Sequence, residues 1–413
     1  MADIGAPSHP LWRNRDFMIL RGGQAISVIG SRVSNIAFPL LVLALTHSPA
    51  QAGIVGFFNT LPNVLFMLPA GALVDRWDRK QVMILCDSGR TLAIGSVVLA
   101  LLLGYLSVVQ LALVAFAEGT FSVFFTLSES AAVPRVVPPD QLTAAVSVNE
   151  STRRGADLVG PSVGGILFSL GRTLPFLADT ASYLISVLSL LLIKARFQEE
   201  RETRVTSLRQ EIGEGLRWLW HHRFVRASVF LIAGSNLLFE ASSLIIIVLA
   251  QRLHASAAVI GLIFSFYGIG GLVGAIIAPW VQRRLSLSLI VIGANWAWAL
   301  LWPLYAVVPS PLLLGLINAV MALLGAVWNV ALGSYILGLI PDALRGRVRS
   351  VNLLVAWGTI PFGAMLSGFL LQLVGPIFAV LITGCAMLGF AAAATISPAV
   401  RNVPRGPAVR LGS

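Results

Sequence analysis

Residues 71–90 read GALVDRWDRKQVMILCDSGR. Apolar sequence runs up to this stretch and resumes after it. Between them, Asp75, Arg76, Asp78, Arg79 and Lys80 crowd five charges into residues 75–80. A knot of charge this dense does not sit in hydrocarbon, so it reads as a tight loop joining two membrane-crossing helices. Three of its five charges are basic, which places the loop on the cytoplasmic side.

The rest of the chain fits that reading. It has 413 residues, 57% of them hydrophobic and 11% charged, whereas a soluble domain carries about 25% charged residues. A helical span needs about 20 apolar residues. About twelve candidates lie near 17–45, 51–73, 82–106, 108–132, 142–170, 174–195, 226–250, 257–280, 286–308, 311–337, 347–374 and 377–397. The first is too long for a signal peptide and is expected to be retained. The net charge of +11 does not point to nucleic acid. With the N-terminus inside, roughly 22 of the 29 Lys and Arg residues fall in cytoplasmic loops or tails, so the basicity records topology and puts both termini in the cytoplasm. Cys86 and Cys385 lie in apolar stretches and read as buried free thiols, without disulfide or zinc spacing.

The longest polar interval, about 195–224, ends in a segment that places Leu208, Ile212, Leu216 and Leu219 on one helical face. It predicts an amphipathic helix on the inner membrane surface between two halves. The halves repeat. Gly71, Ala72 and Trp77 match Gly274, Ala275 and Trp280 at an offset of about 203, and Pro139, Asp140 and Leu142 match Pro341, Asp342 and Leu344 at about 202. Gly164 and Gly171 match Gly368 and Gly375 at about 204. An offset spanning an even number of helices gives like-oriented repeats, an arrangement of rocking transporters with a site near the midplane.

Residues 149–165, NESTRRGADLVGPSVGG, pose the sharpest local problem. Glu150, Arg153, Arg154 and Asp157 recur at helical spacing inside the fifth span, where charge is costly and faces a protein interior or a wet cavity. That spacing predicts charges compensating one another along one helix. A desolvated Asp157 beside an arginine is a candidate proton-coupling residue. Paired charges that merely fix helix packing are the competing explanation for Glu150 and Arg153. Other intramembrane charges are Arg32, Glu118 and Glu240, and the polar groups Gln24, Ser31, Asn35, Asn236, Asn318 and Asn329 accompany them. Phe121, Phe125 and Trp328 offer apolar walls or ordinary helix packing. Asp179 reads as structural, and Glu129 as a partner for the basic loop.

Five stretches carry a family resemblance: GALVDRWDRKQVMILCDSGR, NRDF at 14–17, VPPDQLTAAVSVN at 137–149, GPSVGGIL at 160–167 and FLADTASYLIS at 176–186. The first resembles the signature loop between the second and third helices of the major facilitator superfamily. Together they resemble the bacterial branch with macrolide-efflux proteins and the enterobactin exporter. The resemblance covers essentially the whole chain. It implies an all-α membrane protein with twelve transmembrane helices in two pseudo-symmetric six-helix bundles. The expected divisions are a cytoplasmic N-terminus (1–16), a first bundle (17–195), a linker with the amphipathic helix (196–225), a second bundle (226–397) and a cytoplasmic tail (398–413).

The resemblance also implies roles. Gly71 is expected to permit close helix approach, Asp75 to meet the start of the eleventh helix near Arg345, and Arg76, Arg79 and Lys80 to tether neighbouring helix ends as an inner latch. The second-half loop has Ala278 where Asp75 would recur. Spans one, four, seven and ten are implied to line the cavity. Gly160, Pro161, Gly164 and Gly165 match the core of the superfamily's antiporter motif, although Ser147 and Ala156 replace its upstream glycines. Small residues there would pack the fifth helix closely on a partner, expected to be the eighth, while Pro161 allows bending. The motif favours export.

The functional expectation is a secondary active transporter: a proton-coupled exporter of amphipathic drugs, antibiotics or siderophores. It would act by alternating access as a monomer in the cell membrane, with a small-molecule substrate, no cofactor, no metal and the proton gradient as energy source. Uptake or flipping of a lysophospholipid or similar lipid is the alternative. An ATP-driven pump, a hydrolase or a metalloenzyme is disfavoured. The chain has no G-x-x-x-x-G-K-[ST] loop, no G-x-S-x-G elbow and no metal spacing around His221 and His222. A receptor would need a partner-binding domain, and no polar interval is long enough.

Overall fold

A computed structural model of the protein describes residues 11–195, 197–198, 208–340 and 345–403, and these are helical or in turns, with no strand among them. The first six long helices are α1 (Arg15–Thr46), α2 (Pro49–Val74), α3 (Arg79–Leu103), α4 (Val108–Val136), α5 (Leu142–Leu170) and α6 (Leu174–Leu192). The short α7 (Leu208–His221) leads into α8 (Arg223–Arg252), α9 (Ala257–Arg284), α10 (Leu287–Leu301) and the single turn α11 (Leu304–Val307). Then come α12 (Pro311–Leu339), α13 (Arg345–Gly358), α14 (Ile360–Ile396) and the terminal turn α15 (Pro398–Arg401).

Ten helices among the described residues are long and apolar enough to cross a bilayer. The fifth expected span, α5, has the length at 29 residues but carries the charged run. The last crossing segment, Leu354–Ile396, is a single 43-residue stretch. It is broken at Gly375, whose φ of 77° is left-handed and which is followed by Pro376. The twelve-span expectation rests on counting α5 and both sides of that break.

Local chemistry sets the ends. Asp78, Ser107, Ser256 and Ser286 each accept a hydrogen bond from a backbone N–H three residues on, and so cap α3, α4, α9 and α10. Gly104, at φ 75°, closes α3. Asn14 accepts from the Phe17 N–H at 3.1 Å and starts α1.

The helices are apolar on their outer surfaces as well as in the core, unlike those of a soluble bundle, and their polar residues lie inside. On α3, Leu85, Leu92 and Leu99 are 68%, 75% and 58% exposed, while Asp87 and Arg90 on other faces are buried. Acyl chains solvate such a leucine stripe as well as a protein core would, so only the polar face demands burial.

The chain forms two compact units, one of residues 1–41 and 58–203, the other of 42–57 and 204–413. The expected division assigned 42–57 to the first bundle. Packing gathers it into the second unit because Gly53 lies against Gly368 on α14 with no side chain between them: a Cβ on Gly53 would fall 2.8 Å from the Gly368 Cα. Ser48 Oγ also donates to Gln372 Oε1 at 3.0 Å, and the rings of Phe57 and Phe362 meet edge-on. Elsewhere in the second unit, Trp298 packs edge-on against Phe239 and Trp328. Trp328 is therefore a buried core residue.

Two further expectations are corrected. Cys86 is buried but Cys385 is exposed, since a thiol on a lipid-facing helix surface needs no protein cover. On α7, Leu219 is buried against Val225, Val229 and Val351, whereas Leu216 of the same expected face is exposed. The side chains of Leu208 and Ile212 lie outside the described residues, as do residues 341–344, the side chains of Arg345, Arg347 and Arg349, and the termini before 11 and after 403.

Candidate functional site

The charged loop stitches together helix ends of the first unit. Arg79 donates to the carbonyls of Ala131 (2.9 Å) and Phe197 (3.4 Å), and Lys80 Nζ to the carbonyl of Ile193 (2.6 Å). Two cations thus serve backbone acceptors at the ends of α4 and α6, where the helix dipole favours positive charge. Asp75 is exposed and pairs with Arg79 at 3.5 Å, and Arg76 is exposed. Two more family-like residues join the same end. Asn14 Nδ2 donates to the Val136 carbonyl at 2.8 Å, and Asp16 accepts from the Ala195 N–H at 3.0 Å. Among the described residues of the first unit, no atom lies within 4 Å of where a Cβ on Gly71 would stand.

One helical turn further in, Arg21 pairs with the buried Glu129 and donates to Asn149 Oδ1 at 2.5 Å. Arg153 reaches the other Glu129 oxygen at 3.5 Å. Glu129 is therefore held by α1 and α5, and the expected partnership with the basic loop is replaced by these two arginines. Arg154 donates to Glu150 at 2.8 Å in an exposed pair.

Asp157 is compensated from another helix. Arg32 Nε of α1 meets its carboxylate at 2.7 Å, with the side chains 41% and 37% exposed. Beside them, Gly160 rests on the Arg32 side chain, and a Cβ on Gly164 would lie 2.6 Å from the Val33 carbonyl oxygen. The small residues of the Gly160–Gly165 run, with Pro161 inside the same helix, seat α5 on α1 within the first unit. Overpacking a close helix contact costs about 1–3 kcal/mol. Gly164→Val is therefore expected to lower the melting temperature in detergent by several degrees, whereas Gly71→Ala leaves it unchanged. Equal melting of the two variants would remove the distinction.

Deeper in the unit lies a second cluster, whose charged members are buried. Glu118 on α4 accepts from Asn59 Nδ2 of α2 at 3.0 Å and from the Tyr183 hydroxyl of α6 at 3.2 Å. Arg90 of α3 stands 4.0 Å from Glu118, 3.4 Å from Asp87, and over the rings of Phe125 and Tyr183. The Tyr183 and Ser31 hydroxyls are 2.8 Å apart, and Ser34 and Ser182 both donate to Asp179. Arg90 and Asp179 thus join Glu118 around Tyr183, and Asp87 is tied to the group through Arg90. Among the described residues of this cluster, three carboxyl groups face one guanidinium.

Sequence reasoning passed over Arg21, Asp87 and Arg90, although Asp87 and Arg90 close the quoted stretch. Their spacing of three residues on a span-length helix was the available signal. Of the expected apolar walls, Phe125 is buried and Phe121 packs beside it in the core of this unit.

In the second unit, Glu240 on α8 has no ion-pair or hydrogen-bond partner among the described residues, and Gly363 of α14 backs its Cβ. Asn236 Nδ2 donates to the Ala356 carbonyl at 2.7 Å and holds α13. Asn318 is buried between Tyr305 and the Ile263 carbonyl. Asn329 and, in the first unit, Asn35 are exposed.

Comparison with known proteins agrees with this architecture. The chain is 28% identical over 391 residues to the multidrug efflux pump Tap of Mycolicibacterium fortuitum, covering 91% of this chain and 93% of that one. It is 24% identical over 329 residues to the enterobactin exporter EntS of Citrobacter koseri, covering 79% and 78%. Over 156 residues it is 30% identical to macrolide efflux protein A of Streptococcus pyogenes, covering 37% and 38%. Among solved structures, the nucleoside transporter NupG superposes with a TM-score of 0.71 at 16% identity, covering 92% of this chain and 98% of NupG. A bacterial homologue of the lysosomal transporter Spinster in its inward-facing, unoccupied conformation superposes with a TM-score of 0.69 at 14% identity, covering 96% and 97%. The profile of the transmembrane secretion effector family matches residues 6–406, so this multi-pass membrane protein belongs to that family of major facilitator transporters.

Proposed function

We propose that the protein is a proton-driven exporter of amphipathic small molecules, a monomer in the cell membrane with both termini cytoplasmic, working by alternating access. The observation that carries this reading is the buried cluster of Asp87, Arg90, Glu118 and Asp179. With every member ionised, its three carboxylates would outnumber its guanidinium and leave excess negative charge at bilayer depth, where uncompensated charge costs several kcal/mol. Protons taken up by the carboxyls remove that excess. A site that takes protons when open to one face and releases them when open to the other needs no bound cofactor. The efflux and exporter names of the relatives support an outward direction, and the drugs, macrolides and siderophore in those names share an amphipathic character.

The half-exposed Arg32–Asp157 pair serves as a second proton-sensitive contact, because a proton on Asp157 frees Arg32 from α5. Substrate orientation falls to Glu240, a carboxyl without a counter-ion that suits a cationic group on an apolar body. The test is efflux from cells lacking their own pumps, offered macrolides, lipophilic cations and siderophores with and without a protonophore. Export against a gradient stops when the proton gradient is collapsed, and Asp157→Asn exports at a reduced rate while reaching the membrane at parental abundance. Pumping that survives the protonophore overturns proton coupling and favours the movement of a lipid-like substrate.

A further inference from the structure

We propose that the junction of α7 and α8 is a binding site for an anionic phospholipid of the cytoplasmic leaflet. The placement of that leaflet rests on the charge-based topology above, but the site is independent of what is transported. Phe230 is 56% exposed, two turns into a membrane-crossing helix, on a surface that meets acyl chains. Trp220, 54% exposed near the end of α7, packs edge-on against Phe230 with ring centroids 6.3 Å apart. An indole anchored on the lipid-facing side of a span stands at the glycerol and headgroup level, where tryptophan is enriched.

Cations surround that indole. The Arg226 guanidinium lies 5.4 Å over the Trp220 ring and spends one donor on the Trp220 carbonyl at 3.1 Å, so its remaining N–H groups are available to a phosphate. Arg217 is one helical turn before Trp220 on the same face, and Arg223 begins α8; both are exposed, and their side chains have no partner among the described residues. Below them, Glu214, Arg217, Trp218, His221 and His222 line an open cavity of about 320 Å³. Both imidazoles turn Nδ1 onto a carbonyl one turn earlier, and His222 stacks on Trp218 at 3.9 Å. Leu219 pins the helix from its other side. The combination of aromatic ledge, acyl-facing Phe230 and, among the described side chains, three arginines against one glutamate matches a phosphodiester headgroup with its chains, not a free anion, which would have no use for the ledge.

The experiment is native mass spectrometry of the full chain, delipidated and titrated with phosphatidylglycerol or phosphatidylcholine of identical acyl chains. A basic residue near the surface contributes about fivefold, so with Arg217 and Arg226 together phosphatidylglycerol is expected to be retained roughly 25-fold better. Arg217→Gln with Arg226→Gln brings the two lipids to parity, Arg217→Lys with Arg226→Lys restores most of the preference, and Trp220→Ala weakens retention of both lipids. Arg172→Gln, on an exposed loop between α5 and α6, leaves the preference intact. Equal retention by the parent, an undiminished preference in the double glutamine variant, or its loss in Arg172→Gln would overturn the site. Displacement of the lipid by millimolar inorganic phosphate would show a free-anion site and overturn the lipid assignment. The assay reads no transport, so its failure is distinct from failure of the exporter reading.

Discussion

Glu118→Gln is expected to abolish export against a gradient while preserving downhill exchange. Glutamine keeps the shape of the side chain: its carbonyl oxygen can still accept from Asn59 Nδ2, which meets one Glu118 oxygen at 3.0 Å, while its amide N–H donates to the Tyr183 hydroxyl, which meets the other at 3.2 Å. It cannot ionise, so the cluster loses a proton site and Arg90 loses a nearby negative charge. Coupling free energies of about 1–3 kcal/mol correspond to roughly 5–150-fold effects on linked processes, and the uphill rate is expected to fall towards the upper part of that range. Proteoliposomes with an imposed proton gradient, compared with substrate counterflow in its absence, separate the two activities. A variant that still pumps uphill at the parental rate would remove Glu118 from the coupling mechanism.

Arg90→Met should be the most destabilising single change in the first unit. The guanidinium is buried between Asp87 and Glu118 and is stacked over Phe125 and Tyr183. Methionine replaces the apolar stem but leaves the carboxyls without their cation, and breaking a buried pair from one side costs about 3–5 kcal/mol. That is a large fraction of the roughly 5–15 kcal/mol that separates folded from unfolded states. Melting in detergent and abundance in the membrane should both fall sharply. Adding Asp87→Asn is expected to recover a substantial part, because the second change removes a charge that the first left bare. A double-mutant cycle with no interaction energy would show that packing, not charge, is what Arg90 supplies.

The fold was legible because the bilayer imposes a coarse requirement: long apolar helices separated by charged loops. The Gly375–Pro376 break between the last two expected spans could be read directly, since a residue in the left-handed region followed by one without an N–H cannot continue a helix. The candidate site was legible only as a set of residue types. Helical spacing along α5 suggested that Asp157 and its neighbours neutralise one another. That holds for Glu150 and Arg154, but Asp157 is met by Arg32 of α1 and Arg153 by Glu129 of α4. Spacing describes neighbours on one helix and says nothing of the helix packed alongside. For the same reason the close seat of Gly160 and Gly164 on α1 could not be read from the α5 sequence. Asp87 and Arg90 escaped notice because the loop before them drew the charge argument to itself.

The divided surface of α3 restricts how this unit can move. Leu85, Leu92 and Leu99 look outward while Asp87 and Arg90 look inward, on a helix that advances 100° per residue. Spinning the helix about its long axis by a single residue step would swing a guanidinium towards hydrocarbon, at about 2.5–3.5 kcal/mol or more. The helix is thus keyed against axial rotation, and the motions left to it are tilting, bending and travel with its neighbours as one block.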